Sequence, residues 1–272
     1  MSKTSHVVAV FGGAVAGSEA AERFASHGIH VIVFDQNKIP YGKIESGLPK
    51  WHVKLRNSQE SKIDQKLKHP LVHYVPGVRL GADIKLEELS SNWGFSAVLL
   101  ATGAWHDRPL PIKGIDAYIN KGLYYQNPFV SWFNHNHIPG MDQGQYEIPD
   151  DTIIIGGGLA SFDVIKIVMI ETARKALQKH GHDIDVLTLE KKGIAQILQD
   201  LNISFENLGL KGCTLYYRRR IIDMPLTVLP DSPEKKDYEK VYHQHDRTTC
   251  IFINVSWFCI CQRTGKLSGD GG

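Results

Sequence analysis

Residues 7–17, VVAVFGGAVAG, decide the fold, because an apolar β-branched run ends there in glycines and a helical pattern follows. This order predicts a strand, a phosphate-binding loop and a helix. Gly12 allows the tight turn, Ala14 stands at the second glycine of a G-x-G-x-x-G fingerprint, and Gly17 permits close helix–strand packing. The first N–H groups of such a helix face a bound pyrophosphate. The predicted nucleotide-binding residues of this loop are Gly12, Gly13, Ala14, Ala16 and Gly17.

A second strand is expected at residues 30–34, and Asp35 follows it directly, 18 residues after Gly17. A dinucleotide-binding unit places at this point the acid that accepts hydrogen bonds from the adenosine ribose hydroxyls. Gly28 is expected to end the intervening helix as a left-handed C-cap. A glycine turn alone is weak evidence, but strand, loop, helix, strand and acid together favour dinucleotide binding.

The composition describes a globular chain of 272 residues, with 42% hydrophobic residues and a formal net charge of +2. This length predicts about two domains, and the balanced charge indicates neither nucleic acid nor an anionic membrane as a partner. No run approaches the ~18 apolar residues of a spanning helix, so a soluble, cytoplasmic protein is expected. The four cysteines form no C-x-x-C pair, so no metal centre is expected.

Residues 36–57 are polar and broken by prolines and glycines, which predicts a shaped loop. Their pattern P-x-G-x-I-x-x-G-L-P, at residues 40–49, resembles a loop of two flavoprotein groups. These are the adrenodoxin-reductase type of ferredoxin–NADP reductase and the glutamate synthase small subunit, in which this loop lies along FAD. The resemblance implies cofactor contacts at Gly42, Lys43, Ile44 and Gly47. It also implies a catalytic role beside the flavin for His52, although an exposed loop histidine explains that residue equally well.

Two further segments match the same families. Val78 and Leu80 alternate with polar residues, which predicts a half-buried strand, and the resemblance implies that Val78 packs on the FAD adenine. Another parallel strand is expected at residues 95–100, and the resemblance brings the turn after it close to the cofactor. The residues of that turn are Ala101, Thr102 and Gly103. Residues 122–135 resemble a short interdomain helix, to which no ligand contact is assigned.

A second dinucleotide unit is predicted from residue 152 onward, TIIIGGGLASF, with a strand at residues 153–155 and a long helix that ends near Gly181. Ser161 is a small residue at the third glycine position, and Asp163 follows two positions later. This pattern is similar to the NADP site of these families. The predicted NADPH-binding residues of this loop are Gly156, Gly157, Gly158, Leu159, Ala160 and Ser161. Two such units are more specific than one, since a flavin and a nicotinamide nucleotide need one site each.

The strand that selects NAD or NADP has two candidates. Residues 184–189 end in Glu190, which suits an NAD ribose, and the spacing slightly favours them. Residues 213–217 end instead in three arginines, whose guanidinium groups bind a 2′-phosphate, although such a run is also typical of a solvated patch. CTLYYRRRIIDMP resembles the glutamate synthase small subunit, which favours the second candidate, with Arg218 and Arg219 as the predicted ligands. Residues 182–212 then form an insertion with a helix around residues 194–201.

The sequence thus predicts an α/β protein with two Rossmann-like, three-layer parallel-sheet units, the second inserted after the first. The expected parts are an FAD-binding segment at 1–112, a linker and helix at 113–150, an NADP-binding domain at 151–248 and an unassigned tail at 249–272. Nothing after Arg247 matches the family, so a truncated C-terminal part is expected. The resemblance implies an oxidoreductase that passes hydride from NADPH to FAD and electrons onward to a ferredoxin-like protein. The alternatives are a nucleotide-binding remnant without turnover and a glutamate-synthase-like electron-input subunit.

Overall fold

The computed structural model describes residues 6–136, 146–218, 224–225, 234, 237 and 239, together with the backbone of residues 258–262. The chain divides into two compact units, at residues 1–144 and 145–272. The strands of the first unit are β1 (Val7–Phe11), β2 (His30–Asp35), β3 (Val72–Pro76) and β4 (Ala97–Leu100). Its helices are α1 (Val15–Ser26), α2 (Lys43–Ser46), α3 (Val53–Leu67), α4 (Leu86–Ser91) and α5 (Gln126–Asn136), with a 3₁₀ turn at Ile115–Tyr118.

The first unit is built on a parallel sheet with the strand order β3-β2-β1-β4. Alternate side chains of β1 and β2 face opposite sides, so Val10 and Val33 pack towards Ala21 and Ala25 of α1. On the other side, the core contains Ala9, Phe11, Phe34, Ile84 and Leu89. The α/β fold with a parallel sheet is therefore confirmed. Gly28 follows α1 with φ +77°, as expected for a C-cap glycine.

One predicted strand of this unit is wrong. Val78 and Leu80 lie after β3, and Leu80 forms only an isolated bridge with Ile84. Gly77, with φ +72°, ends the strand before them. Val78 and Leu80 still pack against the core, which explains their alternation with polar residues. The helix expected at residues 122–135 is α5, and it packs within the first unit, where Asn134 Nδ2 donates to Leu48 O at 2.9 Å.

The second unit contains a parallel sheet with the order β5-β6-β7. Its strands are β5 (Thr152–Ile155), β6 (Cys213–Tyr217) and β7 (Phe258–Gln262), and its helices are α6 (Leu159–Lys179), α7 (Val186–Lys192) and α8 (Ile194–Asp200), with a 3₁₀ turn at Glu206–Leu208. The long helix α6 buries Ile165, Ile170 and Leu177, which are at most 2% exposed. The strand at 213–217 and the helix near 194–201 are confirmed.

The alternative strand at residues 184–189 is wrong, because this segment starts α7. The carboxylate of Asp185 accepts hydrogen bonds from Leu187 N and Thr188 N, and this N-cap favours a helix over a strand. Glu190 lies within α7 and accepts a hydrogen bond from Lys166 Nζ at 2.7 Å. It therefore does not end a strand of the sheet and cannot serve as the ribose acid of this unit.

Candidate functional site

A cavity of about 460 Å³ lies at the carboxyl ends of β1, β2 and β4. This edge is where open parallel sheets bind their ligands. The lining comes from the loop after β1, the end of β2, the segment leading into α2, the segment after β3 and the turn after β4. The predicted residues that line it are Gly12, Ala14, Ala16, Asp35, Gly42, Lys43, Ile44, Val78, Ala101, Thr102 and Gly103. Five separate sequence predictions thus meet in one cavity.

The glycines of the first loop make two close backbone approaches. A Cβ at Gly12, where φ is +100°, would lie 2.3 Å from Ala101 O, and a Cβ at Gly17 would lie 1.7 Å from Gly12 O. Gly12 N also donates to Phe34 O at 2.7 Å. The loop is therefore held between β4 on one side and α1 on the other. The close packing expected of Gly17 is confirmed.

Ala14 is the N-cap residue of α1, and no side chain caps this helix end. The first backbone N–H groups of α1 are therefore available to an anion in the cavity. The methyl group of Ala14 is directed at Gly42, since a Cβ added at Gly42 would lie 3.1 Å from Ala14 Cβ. Gly42 has φ +53°, so its backbone also requires glycine. The alanine is accommodated because the facing residue has no side chain.

Asp35 is 6% exposed and bonds to its own loop as well as lining the cavity. Its Oδ2 accepts from Gly13 N at 2.7 Å. Its Oδ1 accepts from Asn37 N at 2.8 Å and from Asn37 Nδ2 at 3.2 Å. Sequence reasoning assigned Asp35 to a ribose and missed this second role. The D-x-N spacing, which is typical of an Asx-turn, was the available signal.

Sequence reasoning also missed Tyr74, which packs beside the loop glycine Gly13, and two residues of the cavity lining. Burial and the neighbouring charge of Asp35 raise the pKa of Tyr74, so its phenol stays neutral, and Tyr74 OH donates to Asn37 O at 3.4 Å. Tyr41 lines the cavity and donates to the carboxylate of Asp64. Arg79 adds a cationic residue to the lining, and its backbone N–H donates to Asp83 Oδ2 at 2.7 Å. No motif in the sequence marks any of these three side chains.

Four of the residues predicted for the first unit do not line this cavity: Gly13, Gly17, Gly47 and His52. Gly13 and Gly17 act instead through the loop contacts described above. His52 is the N-cap residue of α3, half-buried, with its ring centroid 6.1 Å from that of Trp51. A catalytic role for His52 therefore stays a prediction.

The second glycine loop repeats the backbone arrangement of the first. Gly156 N donates to Tyr216 O at 3.1 Å, as Gly12 N does to Phe34 O. Gly158 is the N-cap residue of α6, and no side chain caps that end. A Cβ at Gly157 would lie 2.2 Å from Cδ2 of Tyr217, so the ring of Tyr217 covers this glycine. Arg218 follows β6 and is exposed, whereas Arg219 lies outside the described residues.

The described part of the second loop contains the other predicted residues as well. Leu159 and Ala160 open α6 and are exposed. Ser161 N donates to Gly158 O at 2.9 Å.

Within the described residues, no group of three or more His, Cys, Asp or Glu side chains could hold a metal ion. In the same part of the chain, no helix is both long and apolar enough to cross a membrane.

Residues 6–186 match the family described as pyridine nucleotide-disulphide oxidoreductase. The chain belongs to this family. Several relatives of the chain carry NADPH in their names. The resemblance seen in the sequence is therefore confirmed, and both glycine loops lie within the matched residues.

Two members of the family illustrate the likeness. The mitochondrial NADPH:adrenodoxin oxidoreductase of Arabidopsis thaliana is 30% identical over 242 residues, which are 84% of this chain and 48% of that protein. The glutamate synthase [NADPH] small chain of Mycobacterium tuberculosis is 30% identical over 176 residues, which are 61% of this chain and 34% of that protein. The chain thus spans less than half the length of each relative.

A solved structure shows the same fold. FprA of Mycobacterium tuberculosis, determined in complex with NADPH, superposes with a TM-score of 0.64 at 18% sequence identity. The match covers 95% of this chain and 59% of FprA. This match shows that the α/β fold of the chain is shared with FprA over 95% of the chain's length.

Proposed function

We propose that the first unit binds FAD, that the second binds NADPH, and that the chain passes electrons from NADPH through FAD to a small redox protein such as a ferredoxin. The observation that carries this proposal is a duplication. Each unit has a glycine loop at the carboxyl edge of a parallel sheet, followed by a helix with no side-chain cap. One flavin and one nicotinamide nucleotide require two such sites.

The cavity of the first unit fits a flavin dinucleotide. The start of α1 offers backbone N–H groups to the pyrophosphate, and glycine at position 12 lets the loop pass close to Ala101 O. Asp35 offers its carboxylate to the adenosine ribose. Ile44 and Val78 add apolar surface for the ring systems, with Lys43 next to Ile44. The lining thus combines a few polar groups with apolar walls, as ligand cavities usually do.

The second unit fits a nucleotide with a 2′-phosphate. Its loop presents the start of α6 to a pyrophosphate, and Arg218 follows the neighbouring strand with an exposed guanidinium group. Both relatives described above carry NADPH in their names. With these sites, residues 1–112 are assigned to FAD and residues 151–248 to NADPH, with 182–212 as an insertion.

The chemistry belongs mainly to the cofactors. When bound, FAD supplies the ring system that takes a hydride from NADPH and releases the electrons to an acceptor. The chain itself binds and orients both nucleotides, and the loop glycines with Asp35 fix where the first one lies. A small redox protein is the proposed acceptor because the Arabidopsis relative is named for adrenodoxin.

A second candidate function is a glutamate-synthase-like electron-input subunit. It is favoured by the identity of 30% to the glutamate synthase small chain and by the strand CTLYY followed by arginines. The two functions differ only in the acceptor. Electron transfer to a ferredoxin in a reconstituted assay supports the first, whereas reduction only in the presence of a glutamate synthase large subunit supports the second.

The test of the nucleotide assignment is anaerobic reduction of the FAD-loaded chain, followed by the flavin absorbance. NADPH is expected to bleach the flavin. Gly156→Val places a bulky side chain in the second loop and is expected to retain FAD while losing reduction by NADPH. Gly181→Val is the control, since Gly181 also has a positive φ, +84°, but lies outside the loop, and an added Cβ there meets nothing within 4 Å. The assignment is contradicted if NADPH leaves the flavin of the parent chain oxidised. It is also contradicted if NADPH reduces the flavin of Gly156→Val as fast as that of the parent chain.

A further inference from the structure

The segment that leads into α2 crosses the start of α1. Pro40 lies on the Asp35 side, because a Cβ added at Gly13 would lie 2.9 Å from Pro40 Cβ and 3.4 Å from Asp35 Oδ2. Gly42 lies further along, where an added Cβ would be 3.1 Å from the Cβ of the N-cap residue of α1. The segment thus leads away from Asp35. Lys43 follows at the start of α2 and lines the cavity.

A flavin dinucleotide in the cavity would follow the same path. Phosphate groups at the start of α1 and a ribose at Asp35 fix the adenosine half, so the flavin half extends away from Asp35, in the direction of Lys43. The flavin ring becomes an anion when it takes up a hydride, because two electrons and one proton are added to a neutral ring. A fixed cation beside this ring stabilises the reduced form more than the oxidised form.

The ammonium group of Lys43 is held by a neutral group of α5. Its Nζ donates to Asn127 Oδ1 at 3.1 Å, and in the described part of the chain Lys43 forms no ion pair. The nearest acid along the chain, Glu45, is paired instead with Arg56 at 2.7 Å. Lys43 therefore keeps its full positive charge, and this charge is held at α5 instead of at the start of α1.

Asn127 is itself fixed in place. Its backbone N–H donates to the carboxylate of Asp107 at 3.2 Å, in the first turn of α5. A second hydrogen bond joins the same helix to the segment after α2, from Asn134 Nδ2 to Leu48 O at 2.9 Å. Both ends of α2 are thus tied to α5, which fixes where the ammonium group lies.

We propose that Lys43, positioned by Asn127, raises the reduction potential of the bound flavin. The inference rests on the proposed FAD site and adds a property to it, namely tighter binding of reduced FAD than of oxidised FAD. It adds no chemical step, since the hydride still comes from NADPH. Asn127 is a positioning residue, because it holds the ammonium group without removing its charge.

The test measures the midpoint potential of the FAD-loaded chain by equilibration with redox dyes, together with the dissociation constants of oxidised and reduced FAD. Lys43→Met removes the charge and keeps the length of the side chain. It is expected to weaken the binding of reduced FAD about threefold to tenfold more than that of oxidised FAD. For a two-electron couple this lowers the potential by about 15–30 mV. Lys43→Arg keeps the charge and is expected to keep the parent potential.

Two other variants separate position from charge. Asn127→Leu removes the acceptor at similar size and is expected to lower the potential in the same direction as Lys43→Met, by a smaller amount. Lys50→Met is the control. Lys50 lies on the same loop but outside the cavity lining, with its Nζ 5.0 Å from the ring centroid of Phe133, and its loss is expected to leave the potential unchanged.

A Lys43→Met variant with the parent potential overturns the inference. An equal loss of affinity for both forms of FAD also overturns it, because the charge then acts on the pyrophosphate, and so does an equal shift in Lys50→Met. An Asn127→Leu variant with the parent potential overturns the positioning role of Asn127. A parent chain that binds no FAD overturns the proposed function and this inference together, whereas the other outcomes leave the proposed FAD site standing.

Discussion

Replacing Gly12 by alanine is expected to remove both FAD binding and a large part of the stability of the first unit. The added Cβ would lie 2.3 Å from Ala101 O and 2.8 Å from Ala101 C, both of them backbone atoms. Neither neighbour can move freely, because Gly12 N is bonded to Phe34 O and Ala101 N to Phe11 O. The substitution must therefore separate the end of β4 from β1 or distort the loop.

The expected loss in the free energy of unfolding is the sum of three contributions. A backbone with positive φ costs an alanine about 1–2 kcal/mol. Overpacking against fixed atoms costs about 1–3 kcal/mol, and the loss of the hydrogen bond from Ala101 N adds about 1 kcal/mol. The total of about 3–6 kcal/mol is a large fraction of the 5–15 kcal/mol that typically stabilises a domain.

The assay is urea unfolding of the chain together with the FAD content of the purified protein. Gly28→Ala is the control, since Gly28 also has a positive φ, +77°, but an added Cβ meets nothing within 4 Å. This control is expected to be destabilised only by the cost of a positive φ for alanine, about 1–2 kcal/mol, and to keep its flavin. If Gly12→Ala unfolds at the same urea concentration as Gly28→Ala and carries the same amount of FAD, the steric reasoning is wrong.

Three further substitutions test other parts of the account. Asp35→Ala removes the acceptor of Gly13 N–H and the proposed ribose contact, and is expected to weaken FAD binding by roughly 1–3 kcal/mol, measured by flavin titration against Asp35→Asn. Arg218→Ala is expected to lower the NADPH-to-NADH affinity ratio by roughly tenfold or more, with a difference that shrinks as salt is added because this side chain is exposed. Burial, and then the charge of Asp150, raise the pKa of the Cys213 thiol from 9.0 to about 12, so the folded chain keeps this proton after the unfolded chain has lost it. The free energy of unfolding is therefore expected to fall between pH 9 and 12, by up to about 1.4 kcal/mol per pH unit. In Cys213→Ala, urea unfolding across this range should not show this decrease.

Local patterns predicted the first nucleotide unit well. The strand β1, the glycine loop, α1 and β2 follow one another in residues 7–35, and each is specified by its own apolar period or glycine position. The glycines of the loop that line the cavity were predictable for the same reason. A sharp turn before a helix needs glycine whatever the rest of the fold is.

Contacts between distant segments could not be predicted in this way. The alternation of Val78 and Leu80 imitates a strand, but it arises from a loop that packs two apolar side chains on the core. The apolar run before Glu190 is equally compatible with a strand and a helix, and the N-cap of Asp185 decides between them. The packing of Tyr217 on Gly157 joins residues 60 positions apart, and no short sequence pattern reports it.

The central claim is that this chain holds FAD in the cavity at the carboxyl edge of its first sheet. The most direct measurement is the visible absorbance spectrum of the chain purified in the presence of FAD and freed of unbound nucleotide, with Gly12→Val as the matched variant. The account predicts the bands of oxidised flavin with about one FAD per chain in the parent, and their loss in the variant. A colourless parent chain, or a variant with the same flavin content as the parent, would contradict it.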